Sequence, residues 1–347
     1  MEEQNIITKS LHPAQRLIWI SLIILLIVIF FLSLGVGRYY VSPVSVVKII
    51  FSHLIPLEVT WTEFDYSVVM QIRMPRVILA VLVGAALSIA GASFQGIFGN
   101  PLASPDALGV SSGTGLGAAL ALLLFDRNLW IVQTMAMLFG LIAIGITYLI
   151  SRGRKGQQML MLILSGVVVT AFFQAMISLV KYIADPEAKL PTITYWLMGS
   201  LSAASYRDLG LASIFILAGI LILYLLRWRI NVLSLNEDEA KSMGVNVTRL
   251  RWTIIGAATM VTAATVSTCG FVGWVGLVIP HGARMLVGSD NLDVLPASVL
   301  LGSMYLLIID MIARTATTSE IPLSILTAVV GAPFFAHLLR KTGGGWV

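Results

Sequence analysis

The sequence predicts an all-α polytopic membrane protein of about ten transmembrane helices, arranged as two inverted five-helix halves. Composition, span length and charge asymmetry carry that prediction. Of 347 residues, 58% are hydrophobic and 11% charged, with a mean hydropathy of +0.92. Soluble domains carry about a quarter charged residues, so a single water-soluble globule is excluded; disorder, which needs low hydrophobicity and high charge, is excluded as well. The apolar residues fall in runs that approach or exceed the ~20 residues a bilayer-spanning helix needs. No soluble stretch separates from the rest. Residues 1–347 are therefore expected to form one transmembrane domain with a short N-terminal tail over about 1–16.

The runs, in order, are Leu17–Gly37, Val77–Gln95, Ala107–Phe125, Asn128–Ser151, Gly156–Val180, Leu209–Leu226, Trp252–Ala283, Val294–Ile309 and Ile321–Leu339. The first is too long for a signal-peptide core and has no small-residue cleavage site after it, so it reads as a retained helix. Trp252–Ala283 is too long for one helix and short for two. Gly270, Gly273, Gly276 and Pro280 lie within it, and a break near Gly270 brings the total to ten spans. Leu190–Tyr206, with Pro191 and several polar residues, reads as a short helix on the extracytoplasmic surface.

Charge fixes the expected orientation. With ten spans and a cytoplasmic N-terminus, more than half of the 22 Lys+Arg fall inside, including Arg227, Arg229, Lys241, Arg249 and Arg251. An eleventh span would place that five-charge connection outside, against the positive-inside rule. Both termini are expected in the cytoplasm. Five helices per half give inverted repeats, with a faint echo: Gly96 and Pro101 are expected to close span 2 as Gly276 and Pro280 close span 8. The net charge of +5 implies no nucleic acid, because no soluble domain carries a basic patch. Cys269 is the single cysteine, and no Cys/His set has metal-site spacing.

Arg73 and Arg76 flank Met74-Pro75 just before span 2. Pro75 suits a first helical turn, where two arginines oppose the macrodipole on the side where basic residues are scarce. Interfacial snorkelling explains one such arginine; two suggest a docking surface for an acidic partner, since arginine forks carboxylates. Arg314 follows Asp310 by four residues, the spacing of a helical ion pair shielding a membrane acid. Small residues crowd Gly84–Gly117. Gly84, Gly91, Gly96, Pro101 and Gly113 are candidates for close packing or for the wall of a path. No Gly-x4-Gly-Lys-Ser/Thr phosphate loop occurs, and no set of residues reads as catalytic.

Several motifs together resemble one family: Gln71-Ile-Arg-Met-Pro-Arg-Val, Gly99-Asn-Pro-Leu-Ala-Ser-Pro-Asp-Ala-Leu-Gly-Val-Ser-Ser-Gly, Tyr195-Trp-Leu-Met-Gly-Ser-Leu, Gly273-Trp-Val-Gly-Leu-Val-Ile-Pro-His, Asp310-Met-Ile-Ala-Arg and Glu320-Ile-Pro-Leu-Ser-Ile-Leu-Thr-Ala. From Gln71 to the C-terminus the chain resembles the FecCD/BtuC-type permeases of type II ABC importers, which carry iron–siderophores, haem or vitamin B12. The resemblance implies a homodimer in the cytoplasmic (inner) membrane of a prokaryote, with the path along the dimer axis. It implies two cytoplasmic ATP-binding cassette subunits that hold ATP and Mg, and an extracytoplasmic binding protein. The chain itself would then be a non-enzymatic permease with no bound cofactor or metal.

By the same resemblance, Arg73, Arg76 and Arg314 match positions that face acids of the binding protein. Glu239, Ala240, Gly244 and Val245 match the loop that couples to the ATPase, within the connection 228–251. Ser151, Arg152, Gly153 and Gln157 match the cytoplasmic gate region, although this stretch is more basic than the family's small polar gate. Iron–siderophore is the expected cargo, with cobalamin, haem or molybdate/tungstate as alternatives. An ion-coupled secondary transporter would need acids buried mid-span, and Asp310, near the end of its run, is the single candidate.

Overall fold

A computed structural model describes residues 13–125, 128–151, 158–233 and 237–342. The chain is helical: α1 (Pro13–Gly35), α2 (Pro43–Phe51), α3 (Glu63–Ser67), α4 (Met74–Phe98), α5 (Val110–Leu124), α6 (Leu129–Ser151) and α7 (Gln158–Ile183) are followed by the short α8 (Lys189–Met198). After it come α9 (Tyr206–Leu233), α10 (Glu237–Ser242), α11 (Val247–Cys269), α12 (Val275–Val287), α13 (Asn291–Thr315) and α14 (Leu323–Thr342). Among the described residues, seven helical stretches are long and apolar enough to cross a membrane, and α5, α12 and α14 are shorter apolar helices. Together they make the ten expected spans, and the long run breaks where expected, between Cys269 and Val275.

Span 2 begins earlier than the sequence suggested. α3, a π-helical turn at Val68–Arg73 and α4 form one continuous helix, Glu63–Phe98. Its start is closed by a capping box in which the Thr62 hydroxyl accepts from the Asp65 N–H and the Asp65 carboxylate accepts from the Thr62 N–H. Pro75 therefore sits in the interior of this helix, where it has no N–H to give and its ring crowds the preceding turn. The π-turn supplies the extra width, and the Tyr206 hydroxyl donates to the Met70 carbonyl inside it. The helix dipole therefore does not oppose Arg73 and Arg76, as the sequence suggested: its effect fades within the first turn, and both residues lie beyond it.

This helix is the centre of the bundle. α13, α9, α11, α12 and α1 all pack on it. Two crossings bring backbones into contact. A Cβ on Gly84 would lie 2.1 Å from the Gly302 carbonyl oxygen of α13, and one on Gly91 would lie 1.9 Å from that of Gly276 in α12. Only glycine permits either approach. Gly96 meets Ile230 of α9, and Gly113 of α5 meets Ala143 and the Phe139 carbonyl of α6. These four glycines are packing positions between helices of one chain. Pro101 is half-buried in the turn after α4.

The two halves share an irregularity at their third spans. α5 and α12, of 15 and 13 residues, each start from a left-handed N-cap residue, Gly109 (φ 83°) and Trp274 (φ 68°). The expected echo between Gly96/Pro101 and Gly276/Pro280 is corrected by this, because Gly276 and Pro280 lie in the first half of α12 and do not close it. Pro280 cannot donate to the Gly276 carbonyl four residues back. Gln95 of α4 does so instead: its side-chain amide donates to Gly276 O at 3.3 Å and Leu277 O at 3.2 Å. Its amide oxygen accepts from Arg284. α8 is short as expected but not merely superficial, since Ile193 and Leu197 are buried.

Gly91→Ala should overpack the α4–α12 crossing at a cost of about 1–3 kcal/mol or more. Gly145→Ala, where nothing lies within 4 Å of the new methyl, should be neutral or gain up to about 1 kcal/mol of helix propensity. Thermal unfolding of the two variants in one detergent checks this, and equal midpoints would contradict the packing assignment.

Candidate functional site: a buried charge cluster and the connecting segment at the opposite end

Arg73, Arg76 and Arg314 come together, but inside the protein. Their exposures are 6%, 7% and 6%. Arg73 and Arg76 are three residues apart and so share a face of the central helix, which points at the ends of α1 and α13. The Arg76 Nε donates to Asp310 Oδ1 at 2.8 Å, and its two terminal nitrogens fork Glu320 at 2.8 and 2.9 Å. Arg314 pairs with the other Asp310 oxygen at 3.3 Å across one helical turn, as its spacing predicted. It also donates to the Ser33 hydroxyl of α1 at 2.8 Å.

Arg73 is held by carbonyls. It donates to Leu34 O at 2.7 Å, to Gly35 O at 2.9 Å and to Tyr39 O. A Cβ on Gly37 would lie 2.2 Å from one of its terminal nitrogens, so the turn after α1 needs glycine there. The Tyr39 hydroxyl donates to Asp65 at 2.9 Å, and that bond raises the phenol above its ordinary pKa. The expectation of outward-facing forks is thus corrected: all three guanidiniums are buried and bonded within the chain, although Arg314 Nε and Asp310 Oδ2, 3.3 Å apart, pair by charge without a hydrogen bond. Desolvating a charge is costly unless it is paired and hydrogen-bonded; Arg76 has both, Arg314 has a charge partner and the Ser33 oxygens, and Arg73 has carbonyl acceptors.

Glu320 had no role in the sequence reading. It closes the Arg76 fork from the segment between α13 and α14, with its side chain 31% exposed. An acid just outside an apolar run was the available signal. Ile321 N–H donates to Ala313 O, and Leu323 N–H donates to Gly199 O, both at 3.0 Å. Ser200 N–H donates to Cys269 O at 2.8 Å. The Glu320 segment, the C-terminus of α8 and the α11–α12 break are therefore joined. Beside them lies a cavity of about 580 Å³ whose lining includes Tyr195, Trp196, Ser200, Cys269 and Glu320.

At the other end of the bundle, α10 lies between α9 and α11. Ala240 is buried and Glu239 exposed. Gly244 has φ +77° and its N–H donates to Lys241 O at 2.9 Å, which ends α10 in a left-handed turn; Val245 follows, half-buried. Asn231 at the end of α9 donates to Asp290 at 2.7 Å and accepts from the Asn291 N–H at 2.9 Å, tying this region to the start of α13. Arg152, Gly153 and Gln157 lie outside the described residues. Ser151 is the buried last residue of α6, and its hydroxyl donates to Tyr148 O at 2.8 Å. Among the described residues, no group of three or more His, Cys, Asp or Glu is placed to hold a metal.

Residues 25–341 match the FecCD transport family. The chain belongs to that family. It is 40% identical to the molybdate import system permease protein MolB of Haemophilus influenzae, over 94% of this chain and 96% of that one. It is 37% identical to the Fe(3+)-citrate import system permease protein YfmE of Bacillus subtilis, over 92% and 93%. A solved inward-facing ABC transporter assigned to the metal-chelate type superposes with a TM-score of 0.84 at 39% identity, covering 94% of this chain and 99% of that one. This FecCD-family chain is a multi-pass ABC importer permease.

Replacing Asp310 by Asn should leave Arg76 and Arg314 short of a buried counter-charge and cost about 3–5 kcal/mol. Gln95→Leu should orphan the Gly276 carbonyl and cost about 1–3 kcal/mol. Denaturant unfolding of purified variants measures both, and a wild-type midpoint for D310N would contradict the internal pairing.

Proposed function

We propose that this permease works as a homodimer in the cytoplasmic membrane, importing a metal chelate with iron–siderophore as the first candidate. ATP hydrolysed by two cassette subunits would drive it, and an extracytoplasmic binding protein would deliver the cargo. The observation that carries this reading is full-length family membership, including a solved relative of metal-chelate type. A second reading, molybdate import, is favoured by the 40% identity to MolB over nearly the whole of both chains.

By the positive-inside rule the end bearing Arg229, Lys241 and Arg249 faces the cytoplasm. Both termini are then cytoplasmic, and Ser151 at the end of α6 lies towards that side. Glu239–Val245 meets the ATPase there, and its motion passes through the Asn231–Asp290 contact to α13. The Arg73–Arg76–Arg314 cluster lies at the extracytoplasmic end, where the binding protein docks.

The test is uptake into proteoliposomes holding the permease, its cassette subunit and the binding protein. ATP-dependent uptake of a ferric siderophore is expected; uptake of molybdate alone would establish the second reading. Uptake driven by a proton gradient without ATP would overturn both. The permease alone should hydrolyse no ATP. Gly244→Pro should reduce transport at least tenfold with membrane insertion intact, because proline fixes φ near −65° where +77° is needed. Wild-type transport by that variant would remove the coupling assignment.

A further inference from the structure

The charge cluster holds three arginines, Arg73, Arg76 and Arg314, against two carboxylates, Asp310 and Glu320. It keeps a charge of +1 after its internal pairing. Arg73 has no carboxylate partner among the described residues; its acceptors are carbonyl oxygens.

The two carboxylates are not equivalent. Asp310 is fully buried on α13, between Arg76 and Arg314. Glu320 sits on the connecting segment 316–322, gives both its oxygens to Arg76, and is 31% exposed. An ion pair open to water on one side is weakly held compared with a desolvated one. Of the two acids on Arg76, Glu320 is the one open to solvent.

We propose that Glu320 is an internal stand-in: it occupies on Arg76 the fork that a carboxylate of an acidic docking protein takes when it binds. This rests on the docking reading given above and adds to it how docking is regulated. Binding is then an exchange of one bidentate carboxylate for another, so Arg76 is never left unpaired, and Asp310 keeps the guanidinium in place throughout. The net +1 draws the acidic partner. The displaced Glu320 releases a segment that leads into Leu323, the first residue of α14, whose N–H donates to Gly199 O at the C-terminus of α8, beside the 580 Å³ cavity. Docking is thereby felt at the cavity mouth and at the α11–α12 break.

The experiment measures how tightly the permease–ATPase complex in nanodiscs binds the binding protein that stimulates its ATP hydrolysis, at low salt. The permease variants are Glu320→Gln, Glu320→Asp and Glu58→Gln. Exchange predicts that E320Q, which can no longer compete with full charge, binds about three- to tenfold tighter. E320D keeps the charge but is one methylene too short to fork Arg76 unchanged, so it should also bind tighter. E58Q removes an exposed acid without touching the cluster and should change affinity little. Equal tightening by E58Q and E320Q, with E320D at the wild-type value, would mean a general field effect and overturn the proposal. Unchanged or weaker binding by E320Q and E320D, with wild-type thermal midpoints, would overturn it as well. Failure of the docking reading is separate: affinity would then be the same with Arg73, Arg76 and Arg314 all replaced by glutamate, at low and high salt.

Discussion

A bilayer offers no water to an unpaired backbone group, so each interruption of a membrane helix has to be closed from within the protein. Most of this architecture follows from that constraint. Pro75 opens the central helix, and a π-turn with the Tyr206 hydroxyl on Met70 O closes it. Pro280 frees the Gly276 carbonyl, and Gln95 takes it. The break between α11 and α12 exposes Cys269 O, which the Ser200 N–H fills, while Leu323 N–H fills Gly199 O. Each repair draws on a part of the chain distant in sequence, so each break is also a joint in the bundle. Places where the chain departs from regular helix are therefore where the bundle is tied together.

The same reasoning applies to charge. Five ionised side chains meet at one end of the bundle, four of them carried by the central helix and α13. Their pairing fixes the end of α1, the start of α4, the end of α13 and the segment leading to α14. At the opposite end, Gln95 joins α4 to Arg284 of α12, and Asn231 joins α9 to the start of α13. α4 and α13 thus run the length of the bundle with polar anchors at both ends, and glycine crossings at Gly84 and Gly91 lock the central helix to its neighbours between them. A long rigid element anchored at both ends can pass a displacement from one face of a membrane to the other.

Span number, the break after Cys269, the short α8 and the Asp310–Arg314 pair were legible in the sequence. Each depends on local pattern: the length of an apolar run, a glycine or proline within it, or charges four residues apart on one helix face. The family was legible too, because its motifs occur in fixed order along the chain. Three things were not. The helix boundary at Glu63 was hidden because Pro75 looks like a start signal, and only a π-turn with a distant tyrosine lets it lie inside a helix. The left-handed start of α12 falls on Trp274, a residue that seldom adopts positive φ; it became evident only in the backbone, with Gly331 of α14 leaving room for the side chain.

The third concerns the arginines. Sequence alone determined that three of them cluster near the same end of a membrane protein and that such charges need acidic partners. It could not say whose acids. Asp310 and Glu320 lie more than 230 residues from Arg76, and nothing local links them. Tertiary structure decided that the chain supplies its own counter-ions, because helix packing brings α4 and α13 side by side and turns the 316–322 segment back over them. Desolvation favours that outcome: a buried ion pair stripped of one partner leaves an uncompensated charge, at a cost of about 3–5 kcal/mol.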